Sequence, residues 1–163
     1  MDAIFQELLV PLDGSPLSET ALPTAIYLAS SLKIPLKLLR VIPSVLAGAV
    51  ALSASGSVAL LGSDWDEFQK AQIQETRQYL NRIVSTLPNG VHIQISIRLG
   101  DPAEEIVSAT RESPSTLVVM STHGRSGIAR WVMGSVAETV SHRAAAPLLL
   151  VHPGFDRGSG DGS

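Results

Sequence analysis

Short apolar runs alternate along the chain with longer segments in which apolar residues recur every three or four positions. The runs at 8–12 and 116–120 are apolar on both sides, which is typical of strands buried in a parallel sheet. Similar runs at 36–42 and 146–151 are also predicted to be strands. The segment 91–99 alternates apolar and polar residues, as an edge or half-exposed strand does. The pattern therefore predicts five strands.

The longer segments are predicted to be amphipathic helices at 16–32, 64–87, 102–111 and 135–144. Pro23 lies inside the first of them, and because proline has no backbone N–H to donate, we expect a bend there. Strands and helices thus alternate along the chain, which is the pattern of right-handed βαβ crossovers. The predicted fold class is α/β, a doubly wound domain with one open parallel sheet of five strands and helices on both faces.

Polar clusters follow the first and the fourth predicted strands. The first is Asp13-Gly14-Ser15, in which Ser15 is placed to cap the following helix, and the second is Ser121-Thr122-His123-Gly124. In open parallel sheets, ligands bind beyond the carboxyl ends of the strands, where the strand order reverses. We therefore expect the functional site between these two clusters.

Two segments do not fit this plan. The stretch between Arg40 and Asp64 has no charged residue and is rich in Ala, Ser, Gly and Val. Its serines and glycines, and its place between a strand and a helix, argue against a membrane span, so we expect 44–63 to be a mobile lid or an oligomer contact. The Gly- and Ser-rich residues 154–163 are predicted to be a flexible tail after a single domain at 1–153.

Composition excludes several classes of function. The chain has 12 Lys and Arg against 15 Asp and Glu, a net charge of −3, and only 4% aromatic residues, so nucleic acid is not expected as a ligand. It has no cysteine, which rules out disulfides and thiol nucleophiles. The first residues lack the basic and apolar regions of a secretory signal, so we expect a cytoplasmic protein.

Small residues are concentrated between the fourth strand and the last helix. Ser121, Gly124 and Gly127 would let the backbone approach a ligand, and the helix that begins at Gly134-Ser135 offers N–H groups to an anion. The spacing is neither that of a Walker loop nor G-x-G-x-x-G. From the residues alone, this segment is either a phosphate cradle in two parts or a set of ordinary turn and cap glycines.

The segment resembles the loop of the ATP-binding universal stress proteins, which reads G-x-x-G, nine residues, then G-S/T. Here Gly124, the nine residues 125–133 and Gly134-Ser135 match it, while Ser121 takes the place of the first glycine. The opening 10–15 and the closing 146–151 also match, so the resemblance covers about 5–152. It implies a Rossmann-like sheet of the adenine nucleotide alpha hydrolase type, with strand order 3-2-1-4-5.

The resemblance also implies a nucleotide site with a base end and a phosphate end. Pro11, Val41 and Met120 would line the base, and the Asp13 carboxylate would lie near adenine and ribose. The residues implied to hold the ribose and phosphates are Gly124, Arg125, Gly134, Ser135 and Val136, with Ser135 donating its hydroxyl. Ser121 and His123 belong to the same loop.

The residues themselves leave simpler alternatives open. Asp13 is also suited to cap the first helix, and Ser135 to be only the N-cap of the last one. Val41 and Met120 are also ordinary core residues of strands. His123 is either a phosphate donor or a turn histidine, with a general base as the third alternative.

We expect a stress-response regulatory protein that binds ATP, AMP or ADP, with Mg or Mn carried by the nucleotide, and that forms a homodimer through 146–151. The chain has no Gly-x-Ser-x-Gly elbow and no lysine poised on phosphates, so an enzyme is not expected. The alternatives are a slow ATPase and a dimeric interaction module of the same fold that binds no nucleotide. No metal site of its own is expected, since His92, His142 and His152 lack partners at ligand spacing.

Overall fold

The structure, a computed structural model, describes residues 4–43, 62–113, 115–122 and 133–152. In these residues the strands are β1 (Glu7–Pro11), β2 (Leu36–Pro43), β3 (Ile93–Gly100), β4 (Thr116–Ser121) and β5 (Leu148–Val151). All neighbouring strands are parallel, and their order in the sheet is β3-β2-β1-β4-β5. The predicted fold class and strand order are confirmed.

The helices of the described residues are α1 (Pro16–Glu19), α2 (Leu22–Leu32), α3 (Gly62–Thr86), α4 (Pro102–Glu112) and α5 (Ser135–Arg143). Side chains of α2 and α3 pack on one face of the sheet, and those of α4 and α5 pack on the other. The prediction of helices on both faces is therefore confirmed.

Alternate residues of each central strand supply the two cores. Leu8 and Val10 of β1 belong to the core under α2 and α3, whereas Leu9 belongs to the core under α4 and α5. All three side chains are at most 1% exposed. Removing a side chain of this size from water contributes about 1.5–3 kcal/mol. β1 is apolar on both faces for this reason, and the same holds for the middle of β2 and of β4.

The expected bend at Pro23 is wrong. The segment forms two helices instead of one bent helix, because α1 ends at Glu19 and α2 begins at Leu22. Pro23 is the second residue of α2, where a backbone N–H has no acceptor within the helix. The chain therefore breaks before the proline, and no hydrogen bond inside α2 is lost. Ser15 caps α1 as predicted, since its side chain accepts a hydrogen bond from the Ser18 N–H at 3.1 Å.

Both edges of the sheet are less buried than its centre. No side chain of β3 is fully buried, as predicted for an edge strand, and Arg98 near its end forms an ion pair with Glu112 of α4. The strand at the other edge, β5, begins at Leu148 and is shorter than the predicted 146–151. Leu149 in β5 is 37% exposed, so this edge of the sheet presents an apolar side chain.

An ion pair connects the amino ends of the three central strands. Lys37 of β2 donates to the Glu7 carboxylate of β1 at 3.0 Å, and the Thr116 hydroxyl of β4 donates to it at 2.9 Å. Burial raises the pKa of Glu7. The hydrogen bonds from Lys37 and Thr116, together with the Lys37 charge, lower it by more, so the pKa lies below the ordinary value of 4.5. The ionised carboxylate therefore stabilises the fold.

We expect Glu7→Gln to lower the free energy of unfolding at pH 7 by about 1 kcal/mol, since Lys37 loses a partly buried, charged partner. Because the pKa of Glu7 is depressed in the folded state, its contribution is present above the unfolded pKa and is lost as the pH falls through the folded pKa. The variant should therefore lose less stability than the parent on acidification below about pH 5. Urea unfolding at several pH values measures this, with Glu67→Gln on the exposed side of α3 as control. Equal pH dependence in Glu7→Gln and the parent would contradict the assignment.

Candidate functional site

A cavity of about 310 Å³ opens at the carboxyl ends of β1, β2 and β4. After β1 the chain crosses to β2 on one side, while β4 lies on the other side of β1, so the strand order reverses at this point. Pro102 and Ile106 of α4 and the first turn of α5 close the cavity on one face of the sheet. The cavity therefore occupies the position where ligands bind in open parallel sheets.

The turn after β1 holds the Asp13 carboxylate at the edge of this cavity. Asp13 Oδ1 accepts hydrogen bonds from the Ser15 N–H at 2.9 Å and from the Ser15 hydroxyl at 2.5 Å. Gly14 between them has φ of +80°, a conformation that favours glycine. The alternative in which Asp13 caps the first helix is wrong, because the cap is Ser15. Asp13 instead orients the cap, and its carboxylate is itself oriented by the turn.

The end of β2 supplies an apolar wall and a positive charge. Val41 and Leu39 line the cavity and also pack in the core under α4 and α5. Val41 is therefore both a core residue and a cavity residue, and the two interpretations do not exclude each other. The same is true of Met120 of β4, which is 6% exposed. Arg40 lies between Leu39 and Val41, and its guanidinium donates to the Leu12 carbonyl oxygen at 3.2 Å. This bond connects the end of β2 to the end of β1.

The amino end of α5 faces the cavity on the β4 side. Gly134 is its N-cap, so the alternative in which Ser135 is only the cap is wrong, and Ser135 is the first helical residue. The Gly134 N–H donates to the Thr122 carbonyl oxygen at 2.8 Å, which holds the helix against the end of β4. A glycine cap has no side chain to accept from the first N–H groups of the helix. The helix therefore presents N–H groups and the positive end of its dipole at the cavity.

The structure brings together the predicted site residues that it describes. Those that line the cavity are Pro11, Asp13, Val41, Met120, Ser121, Gly134, Ser135 and Val136. The other predicted site residues, His123, Gly124 and Arg125, lie outside the described residues, as does most of the predicted lid at 44–63. Gly62 and Ser63, at the end of that segment, begin α3.

Sequence reasoning missed several lining residues, of which Arg40, Ser18 and Ile106 are the most informative. The sequence does carry a signal for Arg40, because it is a charged residue near the carboxyl end of an otherwise largely apolar strand. Ser18 follows the cap by three residues, and its hydroxyl accepts from the Asp13 N–H at 3.3 Å. Ile106 had no signal, since only tertiary packing brings the start of α4 to this cavity.

Behind the Asp13 turn lies a small polar cluster that includes α3. The Tyr79 hydroxyl of α3 donates to the Glu19 carboxylate of α1 at 2.9 Å. Burial raises the pKa of Tyr79, and the hydrogen bond and charge of Glu19 raise it further; among the weaker influences, Arg40 lowers it and Asp13 raises it. The phenol is therefore neutral, and Glu19, Arg40 and Asp13 all lie within electrostatic reach of it.

No three acidic or histidine side chains of the described residues are grouped so that they could hold a metal ion. None of the helices in the same part of the chain combines the length and the apolar character that crossing a membrane requires.

Comparison with known proteins agrees with this geometry. The family model described as the universal stress protein family matches residues 5–152. The universal stress protein YxiE of Bacillus subtilis is 30% identical over 149 residues, which are 91% of this chain and 99% of that protein.

Solved structures show the same fold. The universal stress protein UspA from Lactobacillus plantarum has a TM-score of 0.68 at 21% identity, with 90% of this chain and 97% of that chain covered. A universal stress protein in complex with cAMP has a TM-score of 0.58 at 22% identity, with 91% of this chain and 97% of that chain covered. The parallel sheet in the order 3-2-1-4-5 and the family match over nearly the whole length lead to one conclusion: this chain belongs to the universal stress protein family.

Proposed function

We propose that this chain is a regulatory protein that binds ATP in the cavity at the carboxyl ends of β1, β2 and β4. The observation that carries the proposal is the convergence of two apolar strand ends, one oriented carboxylate and one helix amino terminus on a single cavity. A nucleotide has the three matching parts, a flat base, a ribose with hydroxyls and an anionic phosphate chain.

The base would lie on the apolar wall. Pro11, Val41 and Met120 come from three adjacent strands and offer no charged group to the cavity, so they suit a flat, weakly polar ring. The Asp13 carboxylate accepts hydrogen bonds only, which suits the donors of a ribose or of an adenine amino group. Because Ser15 holds its Oδ1, little ordering is left for a ligand to impose.

The phosphates would lie at the start of α5. Ser135 and Val136 line the cavity there, and the N–H groups of a first helical turn bind anions without a lysine. Ser135 can add its hydroxyl as a donor. His123, Gly124 and Arg125 are proposed to complete this end, by the family resemblance of their loop. The solved relative in complex with cAMP supports an adenine nucleotide as the ligand class.

Mg or Mn would arrive with the nucleotide. The described cavity residues offer a single carboxylate, that of Asp13, whereas a dedicated magnesium site uses several oxygen ligands. A triphosphate provides such oxygens itself. The metal is therefore proposed to neutralise phosphate charge and to be held by phosphate oxygens.

Assembly is proposed to be a homodimer through β5 at the sheet edge. Two copies paired antiparallel about a twofold axis would satisfy the unpaired backbone groups of β5 and cover Leu149. The Thr122 N–H donates to the Val151 carbonyl oxygen at 3.0 Å, so the proposed phosphate end is directly connected to this edge. A nucleotide at Thr122 and Gly134 is thereby placed to influence assembly.

Two substitutions separate the ends of the proposed site. Asp13→Ala should weaken both adenosine and ATP by about tenfold or more, because it removes the acceptor of the ribose or base. Gly134→Val should weaken ATP far more than adenosine, because its side chain obstructs only the phosphates. Gly134 has φ of −63° and ψ of 147°, which valine also adopts, so this variant should fold. Calorimetric titration measures both affinities, with Glu75→Ala on the exposed side of α3 as control.

If both variants bind adenosine and ATP with the affinities of the parent, the site assignment is contradicted. A parent chain that binds neither adenosine nor ATP would favour the interaction module that binds no nucleotide. Release of phosphate from bound ATP at a steady rate would favour the slow ATPase.

Divalent cations should strengthen ATP binding and leave adenosine binding unchanged, because the metal is held by the phosphates alone. Titration of each ligand with 5 mM EDTA and with about 5 mM Mg²⁺ measures the effect, for which about tenfold in ATP affinity is expected. Equal ATP affinity in both conditions would contradict a metal carried by the nucleotide.

The dimer is tested at the two sheet edges. Leu149→Glu in β5 should dissociate it, because two carboxylates would meet at the twofold axis. Leu99→Glu in β3 is the matched control, since Leu99 is similarly exposed at the opposite edge. Light scattering at micromolar concentration should give twice 17.2 kDa for the parent and for Leu99→Glu. A parent mass of 17.2 kDa with and without ATP would contradict the dimer.

A further inference from the structure

We propose that Pro11 is a positioning residue of the cavity: it ends the backbone pairing of β1 with β4 and thereby keeps the ends of these two strands apart where the ligand binds. The inference rests on the proposed function, because it concerns the same cavity, but its first step is tested without a ligand. A proline is rare in the central strand of a sheet, because it has no N–H to donate to a neighbouring strand. β1 is the central strand of the five, and Pro11 is its last residue.

The pairing of β1 differs on its two sides. With β2 it continues past the end of β1, since the Leu12 N–H donates to the Leu39 carbonyl oxygen at 2.8 Å. With β4 the register ends at Leu9 opposite Val118. β4 itself continues to Ser121 and is paired with β5 up to that residue. Both strands are thus regular to their ends, and the pairing stops between them.

The donor that Pro11 lacks belongs on the β4 side of β1. Leu8 and Leu12 donate their N–H groups to carbonyl oxygens on the β2 side. Because the N–H groups of successive residues in a strand point to opposite sides, position 11 is directed at β4. In the register of β1 with β4, a donor there would meet the carbonyl oxygen of Val119. With proline at this position, that bond between the strands cannot form.

The cavity begins where this pairing ends. The residues of β1 and β4 that line it all come after the last pair, Leu9 with Val118; they are Pro11 in β1, and Met120 and Ser121 in β4. Leu9 belongs to the core under α4 and α5, and strand alternation directs the Pro11 ring to the same face, which is the face that α4 and α5 close. The proline therefore acts in two ways, because its ring lines the cavity and its nitrogen interrupts the sheet.

Contact through the ring and interruption of the sheet predict different results. If only the contact matters, Pro11→Val should bind ligands as the parent does, since valine offers a similar apolar surface. If the interruption matters, the new N–H bonds to the Val119 carbonyl oxygen, and a ligand must break this bond to enter. One such bond corresponds to about threefold to tenfold in affinity. Adenosine and ATP should lose the same factor, because both use the base end.

The experiment compares Pro11→Val, Pro11→Ala and the parent by NMR and by calorimetric titration with adenosine and ATP. A scalar coupling between the amide nitrogen of position 11 and the carbonyl carbon of Val119 detects the new bond directly. We expect this coupling in both free variants, its loss on saturation with adenosine, and the weaker binding given above. Pro35→Val makes the same replacement just before β2, at the end of the sheet opposite the cavity, and should bind both ligands as the parent does.

Pro11→Ala decides the question if Pro11→Val does not fold. Its affinity also reflects the lost ring contact, so for this variant the loss of the coupling on addition of adenosine is the decisive result. The inference is overturned by the absence of the coupling, by its persistence in the bound variant, or by Pro11→Val affinities equal to those of the parent. Each of these outcomes leaves the proposed function standing. A parent that binds neither ligand overturns the proposed function, and the coupling alone then decides whether Pro11 interrupts the sheet.

Discussion

The parallel pairing of β1 with β2 on one side and with β4 on the other determines where the candidate site lies. Because all three strands run in the same direction, the Asp13 turn, the Arg40 region and the Ser121-Thr122 pair reach the same edge of the sheet. The partly buried Glu7 ion pair connects the amino ends of the same strands at the opposite edge of the sheet. The described part of the site is thus built on the most buried strands of the fold.

The local turns at this edge have complementary electrostatic roles. Ser15 both caps α1 and orients the Asp13 carboxylate, which makes one end of the cavity negative. The glycine cap of α5 leaves the opposite end positive, through N–H groups and the helix dipole. An elongated ligand with hydrogen-bond donors at one end and anionic oxygens at the other fits this polarity.

The carboxyl end of β4 also lies next to β5, the strand at the edge of the sheet. Thr122 contacts α5 through its carbonyl oxygen and β5 through its N–H, so a ligand at the start of α5 is two hydrogen bonds from the edge strand. β5 is short and exposes Leu149.

The sequence by itself determined the fold class, because strands buried on both faces must be apolar throughout while the helices between them are amphipathic. It also pointed to residues that the structure brings to the cavity, such as Asp13 in its turn and Gly134 before the last helix. It predicted a bent helix at Pro23 where the chain forms two helices, since a proline suits a helix start as well as it disrupts a helix interior, and local pattern does not distinguish the two. Only the tertiary structure decided that Arg40, Ser18 and Ile106 meet in one cavity, because their contacts join elements distant in the chain and depend on strand order and register rather than on spacing.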